Sequence, residues 1–125
     1  MAYVALVTLL LLLQYFFFTI RVGQHRAKVL APAMTGNEAF ERKLRVQLNT
    51  LEQLMIALPA MWICAHFFSV NVAAILGLGF FIGRALFSIA YNTDPSKRAP
   101  GMIIGVVSYM IMIGCSLYAI ITQLL

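Results

Sequence analysis

Long apolar runs separated by short polar stretches dominate the chain. The first run covers residues 2–20 and is interrupted only by Thr8, Gln14 and Thr19, so it approaches the ~20 apolar residues that a membrane-spanning helix needs. Three further runs of similar length follow, at residues 48–70, 72–91 and 102–125. This pattern predicts four membrane-spanning helices within one domain that covers residues 1–125.

The polar stretch between the first two runs, residues 21–45, predicts a loop followed by the start of the second helix. Asn37 or Thr35 can cap that helix, and acidic residues in its first turn favour the positive end of the helix dipole. We expect the helix to continue unbroken from Glu38 into the second apolar run. Pro59 lies within it and predicts a kink, which membrane helices tolerate.

Composition supports this interpretation and narrows the class of protein. Of 125 residues, 62% are hydrophobic and only 10% are charged, whereas soluble domains carry roughly 25% charged residues. That balance excludes a disordered chain and leaves no residues for a sizeable aqueous domain. Cys64 and Cys115 lie inside apolar runs, so we expect no disulfide framework. The fold class that follows is an all-α membrane protein, a bundle of four transmembrane helices.

The nine lysines and arginines lie toward one side of the predicted membrane. Six of them fall in residues 21–45, and the other three are Arg84, Lys97 and Arg98. The turn after the second run and both chain ends carry none. The positive-inside rule therefore places both basic loops in the cytoplasm and both termini on the opposite side. Topology accounts for the formal charge of +5, so no nucleic-acid partner is expected.

Polar residues inside the spans are the candidate functional residues, because a charge at mid-bilayer costs at least ~2.5 kcal/mol. Two groups have spacings that place each on one helix face: Arg45, Asn49 and Glu52 on the second helix, and Arg84, Ser88 and Tyr91 on the third. All of these except Ser88, together with Arg98, predict a polar pocket for a small zwitterionic ligand of net negative charge. The structural alternative is that Glu52 pairs with Arg45 or Arg84 and only holds helices together.

Arg98 also has two interpretations. A basic residue just outside a span commonly sets topology or reaches along the apolar surface to the interface. A guanidinium beside a ligand thiol would instead favour the thiolate. The chain contains no metal-ligand motif, phosphate loop, nucleophile elbow or dinucleotide fingerprint, so we expect no metal.

Residues 41–53, Glu-Arg-Lys-Leu-Arg-Val-Gln-Leu-Asn-Thr-Leu-Glu-Gln, strongly resemble the signature of the MAPEG superfamily, the membrane-associated proteins in eicosanoid and glutathione metabolism. The resemblance implies a homotrimer of four-helix bundles that binds glutathione, as a co-substrate, between neighbouring subunits near the cytoplasmic side. It further implies that Arg98 holds the glutathione thiolate during catalysis. The glutathione contacts that it implies lie on two helices: Arg45, Gln47, Asn49 and Glu52 on the second, and Arg84 and Tyr91 on the third.

The sequence departs from the family pattern at several positions. Gln53 stands where several members have a tyrosine after the motif glutamate, and we include it among the expected glutathione contacts. Phe87 replaces a tyrosine of the leukotriene-forming branch, and Gln24 and His25 replace its adjacent arginines. These changes argue against a dedicated leukotriene synthase, while the short loops are typical of a compact or bacterial homologue.

The function that the resemblance implies is that of a membrane-bound glutathione S-transferase. The same glutathione thiolate could also support glutathione peroxidase activity. The second substrate would be a lipophilic electrophile or a lipid hydroperoxide that partitions into the bilayer. Two alternatives remain, a non-catalytic lipid-binding scaffold protein and a glutathione-dependent isomerase of the prostaglandin type. The expected location is the bacterial inner membrane, or the endoplasmic reticulum in a eukaryote.

Overall fold

A computed structural model describes residues 1–30 and 32–125. Within these ranges the regular structure is entirely helical, which confirms the predicted all-α architecture. The long helices are α1 (Ala2–His25), α2 (Glu38–Phe67), α3 (Val70–Thr93) and α4 (Ala99–Leu124), and short 3₁₀ turns at Arg26–Lys28 and Pro95–Lys97 follow α1 and α3. Each of the four long helices is long and apolar enough to cross a membrane.

Helix α2 begins at one of its two predicted caps. The side-chain oxygen of Asn37 accepts a hydrogen bond from the backbone N–H of Phe40 at 3.0 Å, so Asn37 rather than Thr35 caps the helix. From there α2 continues through Pro59 to its end without a break, as predicted. One continuous helix therefore carries every motif residue from the polar stretch into the apolar interior.

Three helices, α1, α3 and α4, extend beyond the apolar runs that predicted them, and α4 begins at Ala99 rather than at residue 102. Helix α2 ends at Phe67, three residues before the end of its predicted run. Helix α1 continues to His25, and α3 begins at Val70, where the Ser69 hydroxyl accepts from the N–H of Val72 at 3.3 Å. An apolar run marks the part of a helix that lipid can surround, whereas caps and backbone hydrogen bonds decide where the helix ends. The ends of these helices therefore lie outside the spans themselves.

Helices α2 and α3 form the centre of the bundle, because each packs against the other and against both outer helices. Val7, Met61, Phe80 and Met112 are fully or almost fully buried among them, one from each helix. The α1–α2 and α3–α4 connections lie at the same end of the bundle, which is called the loop end below. The outward faces carry large exposed apolar side chains, as a lipid-facing surface requires.

Helices α3 and α4 cross in close backbone contact. A Cβ atom added to Gly83 would lie 2.8 Å from the backbone nitrogen of Gly105 and 2.9 Å from the carbonyl oxygen of Gly101. The two helices therefore meet backbone to backbone, which small residues make possible in membrane proteins. This crossing fixes the start of α4, and with it Arg98, against the end of α3.

Candidate functional site

A polar cavity of about 240 Å³ opens at the loop end between α2, α3 and the start of α4. Four of the predicted site residues line it, two from α2 and one each from α3 and the residue before α4: Arg45, Asn49, Tyr91 and Arg98. Phe87 and Met102 complete the lining. Helical spacing brings Arg45 and Asn49 to one face of α2, and the α3–α4 crossing brings Tyr91 and Arg98 opposite them. This cavity is called the arginine cavity below.

Arg84 lies beneath the arginine cavity and is only 1% exposed. Its Nη2 donates to Asn49 Oδ1 at 2.8 Å and to the Thr50 hydroxyl at 3.0 Å, and its Nε donates to the same hydroxyl at 3.3 Å. The third partner is Met102, whose sulfur accepts a hydrogen bond from Nη1 at 3.5 Å. All of these partners are neutral, so a buried positive charge stands below the cavity without a carboxylate beside it. Such an uncompensated charge favours an anion in the space above it.

Aromatic rings cover the Arg84 guanidinium on the α3 side. Its central carbon lies 4.2 Å from the centre of the Phe87 ring, and Phe87 in turn stacks on Tyr91 at 5.5 Å between ring centres. Phe87, which replaces a tyrosine of the leukotriene-forming branch, brings no hydroxyl to the site. Its ring provides a cation–π contact that holds Arg84 in place.

The turn between α3 and α4 positions Arg98. The Asp94 carboxylate accepts hydrogen bonds from the hydroxyl and the backbone N–H of Ser96, at 2.7 and 3.1 Å, and these bonds lower the pKa of Asp94. The carboxylate therefore stays ionised, and keeps the turn capped, to a lower pH than an ordinary aspartate would. Within that turn the Arg98 guanidinium donates to the Pro95 carbonyl at 2.9 Å while lining the cavity.

Three other predicted contacts lie away from the arginine cavity in the single chain. Gln47 donates to the Thr19 hydroxyl of α1 at 3.2 Å, and Gln53 accepts from the Tyr109 hydroxyl of α4 at 2.6 Å. The Glu52 side chain is exposed on the outer surface of α2. Among the described residues the ion pair is Arg42 with Glu38, so the structural alternative of a Glu52 pair with Arg45 or Arg84 is not formed within one chain.

Sequence reasoning missed Thr50 and Met102, which both contact Arg84. Thr50 is 1% exposed, and it lies four residues after the buried Val46, on the inner face of α2. A hydroxyl on the buried face of an apolar helix needs a partner, so its position was a usable signal. Met102 offered no comparable signal, because its contact depends on how closely α4 approaches α3.

Replacing Thr50 by valine is expected to destabilise the protein. Valine keeps the shape of the side chain but leaves two buried Arg84 N–H groups with fewer acceptors, at about 1–3 kcal/mol for an unsatisfied buried donor. The thermal unfolding midpoint measures this effect. Thr50→Ser is the control, because it retains the hydroxyl. Equal behaviour of the valine and serine variants would show that these hydrogen bonds are unimportant.

Four long apolar helices and a cationic cavity at one end define a small integral membrane protein whose cavity suits an anionic ligand. The model of the MAPEG family matches residues 4–118, nearly the whole chain. The chain therefore belongs to the MAPEG family, which confirms the resemblance seen in residues 41–53.

Three relatives show the extent of the similarity. An uncharacterised protein of Synechocystis sp. is 45% identical over 122 residues, which cover 96% of this chain and 89% of that protein. Human microsomal glutathione S-transferase 2 is 32% identical over 114 residues, covering 88% of this chain and 78% of the enzyme. Bovine leukotriene C4 synthase is 34% identical over 99 residues, covering 78% of this chain and 66% of the enzyme. The chain is thus an integral membrane protein of a family with glutathione-related members.

Proposed function

We propose that this protein is a membrane-bound glutathione transferase whose co-substrate binds in the arginine cavity. The observation that carries the proposal is the convergence of Arg45 and Arg98 on one small cavity above the buried Arg84. Three guanidinium groups suit the two carboxylates of glutathione, and Glu52 on the exposed face of α2 is available to its single ammonium group. The similarity to human microsomal glutathione S-transferase 2 supports the same ligand.

Arg98 supplies the chemistry in this proposal. Its positive charge stabilises the glutathione thiolate, so the thiol proton passes to water and the sulfur becomes a nucleophile. Arg45, Asn49 and Tyr91 orient the tripeptide, which places the thiolate for attack. The sulfur then forms a bond to the electrophilic carbon, and the leaving group departs with the bonding electrons. A lipid hydroperoxide is the corresponding substrate for the peroxidase activity of the same thiolate.

A homotrimer completes the site in this proposal. The cavity of about 240 Å³ in one chain is smaller than the roughly 300–1,000 Å³ of most ligand pockets. Arg45 and Glu52 are exposed on α2 although they lie on a helix that can span the membrane. A charge facing lipid at mid-bilayer costs at least ~2.5 kcal/mol, so a neighbouring copy is the natural cover for this face. Gln47 and Gln53 would then contribute from the edges of the same interface.

The charge distribution supports a cytoplasmic loop end with both termini on the opposite side. The Synechocystis relative supports a bacterial membrane as the location.

The test of the proposed function is a conjugation assay on the protein purified in mild detergent, with glutathione and chlorodinitrobenzene. We expect glutathione-dependent product formation and an ultraviolet thiolate absorbance when glutathione is added. Glutathione binding without either signal would favour the non-catalytic scaffold instead. Absence of glutathione binding would overturn the assignment of the cavity.

Replacing Glu52 by glutamine is expected to weaken both glutathione binding and the association between copies. Glu52 lies 14 residues into α2, roughly 21 Å from its start, which is well within a membrane span. In the proposed trimer Glu52 pairs with the glutathione ammonium group. Removing one partner of such a buried charge pair costs about 2–5 kcal/mol, so the loss should be tenfold or more. Light scattering of the detergent-solubilised protein and calorimetric titration with glutathione measure the two effects.

The matched control is Glu41→Gln, which removes the same charge in the first turn of α2. It should leave oligomer mass and glutathione affinity close to those of the unmodified protein. If Glu52→Gln also changes neither quantity, the α2 face is not the interface.

A further inference from the structure

A second basic site lies on the opposite side of the central helices from the arginine cavity, between α1 and α3. A cavity of about 290 Å³ at the loop end contains Arg21, Lys43 and Asn92, together with Phe17 and Ser88. None of these residues lines the arginine cavity. Within one chain, the arginine cavity therefore leaves this cluster unused.

The two cations of this second cavity have no acidic partner. The Lys43 side chain is 9% exposed, and its ammonium donates one hydrogen bond, to Asn92 Oδ1 at 3.1 Å. Arg21 Nε is buried and has no hydrogen-bond partner among the described residues. The charged groups that act on the Lys43 ammonium are Arg21, Lys28 and Arg42, all of them positive. Unsatisfied N–H donors and unbalanced positive charge in a recess both call for an anion.

An apolar cavity continues from the basic one toward the middle of the membrane. It measures about 400 Å³ and shares Phe17, Phe18, Ser88 and Ile89 with the basic cavity. The two cavities therefore adjoin each other along α1 and α3, and together they are called the α1–α3 groove below. Its lower part is lined by apolar side chains and by Gln14, and Leu13, Phe17 and Ile89 along it are more than half exposed. The groove thus opens sideways to the lipid.

The dimensions of the α1–α3 groove correspond to one leaflet of a bilayer. From Leu10 to Arg21 the α1 wall advances by 11 residues, about 16 Å at the helical rise. Half of a hydrocarbon core of about 30 Å has nearly the same length. A cationic head at the interface with an apolar channel of one leaflet's depth below it matches an acidic phospholipid, since basic recesses between membrane helices bind anionic head groups.

We infer that the α1–α3 groove binds an acidic phospholipid of the bilayer, with the phosphate at Arg21 and Lys43 and one acyl chain along the apolar channel. The phosphodiester oxygens accept hydrogen bonds from the N–H groups of both side chains, and the single negative charge of the phosphodiester offsets one of the two positive charges. Asn92 holds Lys43 in place, because its own amide nitrogen is anchored to the Ser88 carbonyl at 2.8 Å. A zwitterionic phospholipid is disfavoured, since the cavity lining offers no carboxylate to its ammonium group.

The experiment measures thermal unfolding of the delipidated full chain in detergent against added phosphatidylglycerol or phosphatidylcholine. Phosphatidylglycerol should raise the midpoint more than phosphatidylcholine does. In Lys43→Gln the half-saturating concentration of phosphatidylglycerol should rise by about fivefold, the loss of one lysine near an acidic head group. The matched control Lys97→Gln removes the same charge from the exposed α3–α4 turn and should leave that concentration unchanged.

A second pair of variants tests the apolar channel. Ala85→Trp fills the groove and should abolish the preference for phosphatidylglycerol, whereas Ile82→Trp places the same ring on the exposed lipid-facing surface and should preserve it. Far-ultraviolet circular dichroism and the conjugation assay check that each variant is folded.

Three results would overturn the inference. Lys43→Gln and Lys97→Gln could respond alike to phosphatidylglycerol, which would show that Lys43 does not bind the lipid head group. Inorganic phosphate alone could produce the full stabilisation, which would identify a site for a free anion. Ala85→Trp could dissociate the oligomer in light scattering, which would show that a second copy of the chain occupies the groove. The glutathione assay is a separate readout, so failure of this inference is distinguishable from failure of the proposed function.

Discussion

Replacing Arg98 by alanine is expected to lower the rate of conjugation by about 10²–10³, the usual cost of removing one preorganised group that stabilises developing or existing negative charge. Glutathione binding should stay largely intact, because Arg45, Asn49 and Tyr91 remain in the arginine cavity. The ultraviolet thiolate signal should fall with the rate, since both depend on the same charge. Steady-state kinetics and difference absorbance of the purified variant measure these two quantities.

Two further substitutions separate charge from position at Arg98. Arg98→Lys keeps the positive charge but loses the planar guanidinium and its reach, so we expect an intermediate rate. Lys97→Gln removes the neighbouring cation, whose side chain is exposed and does not line the cavity, and should leave the rate unchanged. Full turnover in Arg98→Ala would contradict a specific role for Arg98. An equal loss of turnover in Arg98→Ala and Lys97→Gln would contradict it as well.

Much of the fold could be predicted from the hydropathy pattern because lipid permits few solutions. Backbone polar groups have no water to bind within a bilayer, so an apolar run of sufficient length must be helical. The continuity of α2 through Pro59 and its Asn37 cap were likewise readable from local chemistry. The ends of α1 and α3 were less predictable, since helices continue into the interface until caps or turns stop them.

Helical spacing predicts which site residues share one face of a helix, but not which neighbouring helix that face contacts. Spacing placed Arg45 and Asn49 on one face, and the structure brings them to a single cavity with Tyr91 and Arg98. Spacing could not tell that Ser88 lines the α1–α3 groove instead, because which neighbour each face meets depends on packing.

The predicted contacts that lie away from the arginine cavity had the same limitation. The partners of Gln47 and Gln53 belong to α1 and α4, and no pattern within α2 identifies them. Glu52 faces outward from a single chain, so its role depends on what covers that face.

Replacing Gly101 by alanine is expected to disrupt the site from a distance by forcing α4 away from α3. An added Cβ would overlap the backbone nitrogen of Phe87 and lie 2.8 Å from both the Phe87 Cα and the Gly83 carbonyl oxygen. These are backbone atoms of a neighbouring helix, so no side chain can rotate to make room and the helix itself must shift. Overpacking of this kind costs about 1–3 kcal/mol. The thermal midpoint should therefore fall.

The same shift would also move Arg98, which lies three residues before Gly101 at the start of α4. Its distance to Phe87 and Tyr91 across the arginine cavity would grow, and a misplacement of ~1 Å can cost about 10²-fold in rate. The variant should thus lose both stability and turnover, whereas Arg98→Ala should lose turnover with its stability retained.

Gly114→Ala is the matched control, because nothing lies within 4 Å of a Cβ at that position on the same helix. Alanine is the better helix former by about 1 kcal/mol, so this variant should be as stable as the unmodified protein or more so. If Gly101→Ala behaved like Gly114→Ala, the α3–α4 crossing would tolerate a wider separation, and the position of Arg98 would have to depend on the Asp94 turn alone. If Gly101→Ala loses activity and stability together, the glycine contact holds α4 in the position that places Arg98 in the arginine cavity.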